Sequence, residues 1–224
     1  MGKKYILTDD VIDFNGHTLH RIKAVRDFDC VKAGNLGGFI ESEKNLDHDG
    51  NAWVSDDAMV TGNAWVTDDA WVTDDARVTG DAMVTGNAWV TDDAWVTDDA
   101  MVTGDARVTG NARVTDDARV TDDARVTDDA WVTDDAMVTG DARVTGNARV
   151  REASDIALIK GFGSEFRATS FFRCVDGLVR CQCGCFYGTV DEFRSKVRET
   201  HGNSKYAKEY LMIADLMELH FKED

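Results

Sequence analysis

The chain has 224 residues, 42 acidic against 25 basic side chains, and a formal net charge of −17 at pH 7. That balance excludes a basic surface for direct nucleic-acid binding, and the sequence offers no long apolar run to cross a membrane as a helix. Five cysteines, an odd number, point to a reduced compartment rather than a disulfide framework.

Residues 1–44 read as a small β cap. Met1-Gly-Lys-Lys-Tyr runs into a strand without a signal-peptide pattern. Tyr5-Ile-Leu and Val11-Ile-Asp-Phe precede Asn15-Gly16, a hairpin turn pair, and 17–25 is the return strand. Leu36-Gly-Gly-Phe-Ile40 then feeds the next region. A cap is expected there, because an open solenoid end leaves strand edges unpaired.

Residues 45–164 are set by repetition. From Asn51 to Glu152, seventeen hexapeptides follow one another without insertion or deletion. Each reads [N/D]-A-[W/M/R]-V-[T/S]-[D/G] except the last, Asn147-Ala-Arg-Val-Arg-Glu152. Side chains two apart on a strand share a face, so Ala and Val point inward and Trp/Met/Arg and Thr point outward. Asp, Asn and Gly hold the corners, where a left-handed backbone is tolerated. The frame extends loosely to 45–50, with Leu46 and His48 inward, and to 153–158, with Ser154 and Ile156 inward. Reading the outward position at every third repeat, the number per coil that the resemblance described below implies, gives three ladders. The first is Trp53, Trp71, Trp89, Arg107, Arg125, Arg143; the second is Met59, Arg77, Trp95, Arg113, Trp131, Arg149; the third is Trp65, Met83, Met101, Arg119, Met137. Within 51–152 there are 21 Asp and one Glu against eight Arg, so most of the excess charge lies on the array.

Residues 165–224 form a different unit. Phe171-Phe-Arg-Cys-Val, Asp176-Gly177 and Leu178-Val-Arg-Cys read as a hairpin. Thr189-Val-Asp-Glu192 is a capping box opening a helix that closes at His201-Gly202. Asn203 or Ser204 caps a second helix, with Tyr206, Tyr210, Ile213 and Met217 on one stripe.

The inward pairs Val54/Ala58 and Val60/Ala64 resemble the left-handed parallel β-helix of hexapeptide-repeat proteins. Together with the Asn-Gly hairpin, Leu-Gly-Gly-Phe-Ile and the Cys-Gly-Cys-Phe-x-Gly-Thr tail, the whole chain resembles uncharacterised phage and prophage hexapeptide-repeat proteins. The fold class expected is therefore an all-β solenoid with an N-terminal β cap and a C-terminal hairpin plus two helices. The resemblance implies the cytoplasm of a bacterial host and carries no known active site.

No catalytic residue and no cofactor is expected. A hexapeptide acyltransferase would use a His general base near a loop breaking the coil, but His17, His20, His48, His201 and His220 all lie outside the uninterrupted array. Cys181, Cys183 and Cys185 are weak zinc candidates, because on one strand their thiols stand ~7 Å apart, awkward for one tetrahedral ion. Small buried apolar residues are the simpler reading. Calcium at the Asp corners, sugar stacking on Trp and ice binding are weaker readings.

The expected site is a protein-binding surface. Trp53, Trp71, Trp89, Arg107, Arg125 and Arg143 are anchor types on one face. The corner carboxylates Asp56, Asp57, Asp74, Asp75, Asp92, Asp93, Asp128 and Asp129 imitate phosphates. Net charge along the array approaches that of duplex DNA, about one per ~1.7 Å. The function expected is a phage inhibitor that binds a host nucleic-acid-binding protein, such as a restriction or CRISPR component. A self-assembling scaffold, with the chain as its own partner, is the alternative.

Overall fold

The computed structural model describes residues 2–222. β1 (Tyr5–Phe14) and β2 (His17–Ala24) form an antiparallel hairpin. Asn15 and Gly16 take φ of 52° and 85°, the left-handed pair a two-residue hairpin turn requires. A bulge between Leu7 and Val11 joins the two apolar runs into one strand. β3 (Leu36–Ile40) pairs antiparallel with β2 and parallel with Met59–Val60, so the cap and the solenoid share one sheet. Gly37 and Gly38 permit this crossing: a Cβ on either would lie 2.6 Å from a backbone oxygen of the first coil, Val54 and Ala58 respectively.

Seventeen two-residue strands, β4 to β20, follow from Trp53–Val54 to Arg149–Val150. They stack in three parallel sheets, making a three-sided solenoid of about six coils. Partners are one coil apart, as in Trp71–Trp89–Arg107 and Arg113–Trp131–Arg149. The three outward ladders are those expected from the repeat frame. Every Ala and Val of the array is buried, and each Val contributes roughly 1.5 kcal/mol of apolar burial. The first corner residue has positive φ at every corner from Asp56 to Gly146, 54–60° for Asp and 60–72° for Gly.

β21 (Ile156–Ile159), β22 (Thr169–Arg173), β23 (Val179–Cys183) and β24 (Phe186–Thr189) form a four-stranded antiparallel sheet. Helices α1 (Val190–His201) and α2 (Lys205–His220) pack on it through Phe171, Cys181, Phe193, Tyr210, Ile213 and Met217. The Thr189/Glu192 capping box and the Ser204 cap are present. This unit closes the far end of the solenoid. Ala148 bridges Cys174, the Val175 amide donates to Asn147 O at 3.1 Å, and the Arg143 amide donates to Ser170 Oγ at 2.8 Å.

Four expectations at the ends need correction. Leu46 is buried as expected, though it bridges Val66 rather than Ala64, so it fills the Val lane and this coil is two residues longer than the others. His48 is only half-buried and lies 4.3 Å from the Tyr5 ring. Ser154 is exposed, and Ile156 opens the antiparallel sheet instead of another coil. On α2, Tyr206 is exposed and Ala207 and Ala214 complete the buried stripe.

Candidate interaction surfaces

The outward ladders are built by register. Parallel pairing places each side chain directly over its counterpart in the next coil, ~4.8 Å away. On the second face this stacks rings and cations alternately. The Arg77 guanidinium carbon lies 4.8 Å from the Trp95 ring centre, and Arg113 lies 5.4 Å from Trp95 and 4.7 Å from Trp131. Arg149 closes the series at 4.2 Å from Trp131. The alternation of Arg and Trp stands in the sequence at every third repeat, but the stacking follows only from the parallel register.

Above Trp131 a groove of about 620 Å³ lies between the second face and the β22–β23 turn. Its cations are largely occupied with the fold. Arg149 donates to Ala148 O and Asp129 O, and Arg173 and Arg151 both approach the buried carboxylate of Asp155, at 3.0 and 3.9 Å. Burial and the neighbouring Arg113 charge lower the Arg149 pKa. These contacts fasten the C-terminal sheet to the last coil.

The first face is polarised. Trp53 was expected outward and available, and it is instead 2 % exposed, enclosed by Phe28 at 5.3 Å and Tyr5 at 6.4 Å. It is a core residue of the cap and belongs to no binding surface. Trp71 and Trp89 stack at 6.1 Å and 23°, and Arg107 lies 5.8 Å from Trp89. Arg107, Arg125 and Arg143 are exposed on consecutive strands. Among the described residues, none of these three side chains has a hydrogen bond or ion pair within the chain.

The corner carboxylates divide into two kinds. The first Asp of each corner turns back onto the coil. Ser55 and Thr73 hydroxyls donate to Asp56 and Asp74 at 2.8 and 2.7 Å. The Gly110 amide donates to Asp92 at 3.1 Å, and the Gly146 amide donates to Asp128 at 3.2 Å. Thr145, Gly146 and Thr127 hold the Asp128 carboxyl below its ordinary pKa. This local use explains Asp at a left-handed position better than phosphate imitation does. The second residue points to solvent. Asp57 meets Arg21 at 3.3 Å and Asp129 accepts from Asn111 at 3.0 Å, whereas Asp75 and Asp93 are exposed without partners among the described residues. On the next edge, Asp99, Asp117 and Asp135 stand exposed on successive coils, and they too lack partners among the described residues.

Cys181 and Cys183 face the helices from the same side of β23, as expected, but Cys185 does not join them. Cys181 is fully buried among the helices, and Cys183 receives the Thr169 hydroxyl at 3.1 Å. Cys185 lies exposed beyond the end of β23. Cys174 packs on the last coil, while His201 sits 5.6 Å from the Tyr210 ring. Among the described residues, no three His, Cys, Asp or Glu side chains are grouped to hold a metal ion, and no helix is long and apolar enough to cross a membrane. No protein-family model matches the chain, and no curated protein matches it.

Proposed function

We propose that this chain is a non-catalytic binding protein whose acidic edges occupy the basic nucleic-acid-binding surface of a partner protein. The observation that carries this reading is the row Asp99, Asp117, Asp135. Its carboxylates are exposed, free of internal cations among the described residues, and repeat every ~4.8 Å along a rigid edge. Pre-ordered charge of one sign steers a cationic surface and loses little entropy on docking. The sequence resemblance to phage and prophage proteins makes a restriction or CRISPR component in the host cytoplasm the partner class that fits.

The test is capture from a bacterial lysate on tagged protein, washed from about 0.05 to about 0.5 M salt, beside the triple variant Asp99→Asn, Asp117→Asn, Asp135→Asn. A nucleic-acid-handling protein released by salt and by duplex DNA, and not held by the variant, is the expected result. Capture unchanged by salt, or equal on the variant, sinks the reading.

A further inference from the structure

The three faces of the solenoid share their acidic edges and differ in what lies between them. The first and second ladders hold three arginines each. The third runs Trp65, Met83, Met101, Arg119, Met137 in parallel register, so four of its five side chains are apolar. Trp65 and Met137 are exposed, and Met83 and Met101 are half-buried. Both edges of this face are acidic. The edge shared with the second face carries seven carboxylates from Asp81 to Asp135, and the edge shared with the first carries six from Asp68 to Asp141. Asp81 and Asp105 accept from the neutral amides of Asn63 and Asn87 at 2.7 and 2.9 Å. Asp99, Asp117, Asp123 and Asp135 have no partner among the described residues. The cations at this face are few. Arg119 stands in the ladder, Lys160 pairs with Asp141 at one end, and Lys44 lies at the other in the short helix Glu43–Asn45.

We propose that the third face is a docking surface for a basic amphipathic helix of the partner protein. The inference rests on the reading of Asp99, Asp117 and Asp135 as a partner-binding row, and adds what lies between that row and the acidic row opposite. An apolar ridge between two acidic rows is complementary to an apolar stripe between two basic rows. A strand alternates its side chains between two faces and cannot present that pattern, whereas a helix does. Corners on the two sides of the face are six residues apart along the coil, at most about 22 Å. That leaves room for a helix about 10–12 Å across, with Lys and Arg side chains reaching outward to both edges. Its apolar stripe lies on Trp65, Met83 and Met101, three apolar residues on successive coils. Methionine suits this contact, because its unbranched, polarisable side chain repacks against different apolar shapes. Arg119 ends the apolar run and has no hydrogen bond or ion pair among the described residues. The carbonyl end of the docked helix, which carries partial negative charge, falls against it.

The probe is a fluorescein-labelled designed peptide of about 14 residues, ~20 Å long as a helix, with leucine on one stripe and lysine on both flanks. Its control has the same composition with the leucines spread around the helix. Anisotropy is read on the full chain at about 0.15 M salt. The stripe peptide should bind more than about tenfold more tightly than its control. Met83→Gln/Met101→Gln should abolish that preference and leave both peptides bound alike. Met83→Leu/Met101→Leu should keep it, as should Trp89→Gln on the first face. The triple variant Asp99→Asn, Asp117→Asn, Asp135→Asn should weaken both peptides by about fivefold or more. No preference for the stripe peptide on wild type, or a preference that survives Met83→Gln/Met101→Gln, overturns the proposal. The reading of the acidic row then still stands if the Asn variant loses affinity. Peptide binding indifferent to the Asn variant removes that reading, and the proposal with it. A dimer of the chain alone that Met83→Gln/Met101→Gln dissolves gives the face to a second copy and overturns the proposal as well.

Discussion

Arg113 and Arg149 hold the indole of Trp131 between them, their guanidinium carbons 4.7 and 4.2 Å from its ring centre. Each contact at a partly exposed site is worth about 0.5–1 kcal/mol, and the ring also keeps two like charges apart. Trp131→Ala should therefore destabilise the chain by about 1–2 kcal/mol in urea unfolding. Trp131→Phe should retain at least half of that. Met137→Ala, on the third face and 49 % exposed, serves as the control and should cost little. Equal losses for Trp131→Ala and Met137→Ala would show that the column adds nothing beyond surface burial.

Gly80 should resist substitution although neighbouring corners accept Asp. It has φ of 72°, and a Cβ built on it would lie 2.8 Å from the amide nitrogen of Asp98 and 2.9 Å from its Cα. The obstacle is backbone of the next coil, which cannot turn aside. Gly80→Ala should cost at least about 1–2 kcal/mol, measured as a shift in thermal midpoint. No loss on this substitution would mean that the coils separate locally with little strain.

The solenoid was legible because one six-residue rule sets every contact in it. Ala52 and Val54 recur as inward residues, so an error at one coil would have to recur at all of them. The ends obey no such rule. Leu46 follows the hexapeptide frame in sequence and fills the other lane in space, because the corner after it carries two extra residues. That widened corner is filled by Lys4, whose Nζ donates to Ala52 O at 2.8 Å and Asp49 O at 3.3 Å. Nothing local in Lys3-Lys4-Tyr5 signals a contact some 45 residues away. Trp53 carries the same letter as Trp71, and only the docking of Phe28 distinguishes them. The Arg/Trp alternation on the second face was present in the sequence. Its column of contacts became apparent only once parallel register had fixed the stacking.

Lys4 should give stability a pH signature. It is fully buried, and desolvation is the main cause that lowers its pKa to about 8 from 10.5. Between those values the unfolded chain binds the proton and the folded chain does not, so this group's contribution to stability rises with pH. Burial raises the Tyr5, Cys174 and Cys181 groups, and their contributions fall as pH rises above about 9–10. The comparison that isolates Lys4 is wild type against Lys4→Met, followed by denaturant unfolding from about pH 7 to pH 9. Lys4→Met should be less stable throughout, because two carbonyls lose their donor. The gap should widen as pH rises above about 8. A gap independent of pH would mean that the ammonium is hydrated in the folded chain.

The cysteines offer a direct check on how the C-terminal unit is packed. The thiolate is the nucleophile, so alkylation requires both access and an ordinary pKa. Cys30 and Cys185 are exposed, whereas Cys174 and Cys181 are buried and desolvation pushes both thiols up. With iodoacetamide under native conditions, mass spectrometry should find Cys30 and Cys185 modified first and Cys183 next. Cys174 and Cys181 should be modified only after denaturant is added. Separating Cys181 from Cys185 in rate also bears on metal binding, since a zinc site built on the three clustered thiols would protect all of them together. Rapid modification of Cys181 would mean that α1 and α2 open from the sheet. Uniform protection of Cys181, Cys183 and Cys185 that disappears on adding a chelator would restore the metal reading.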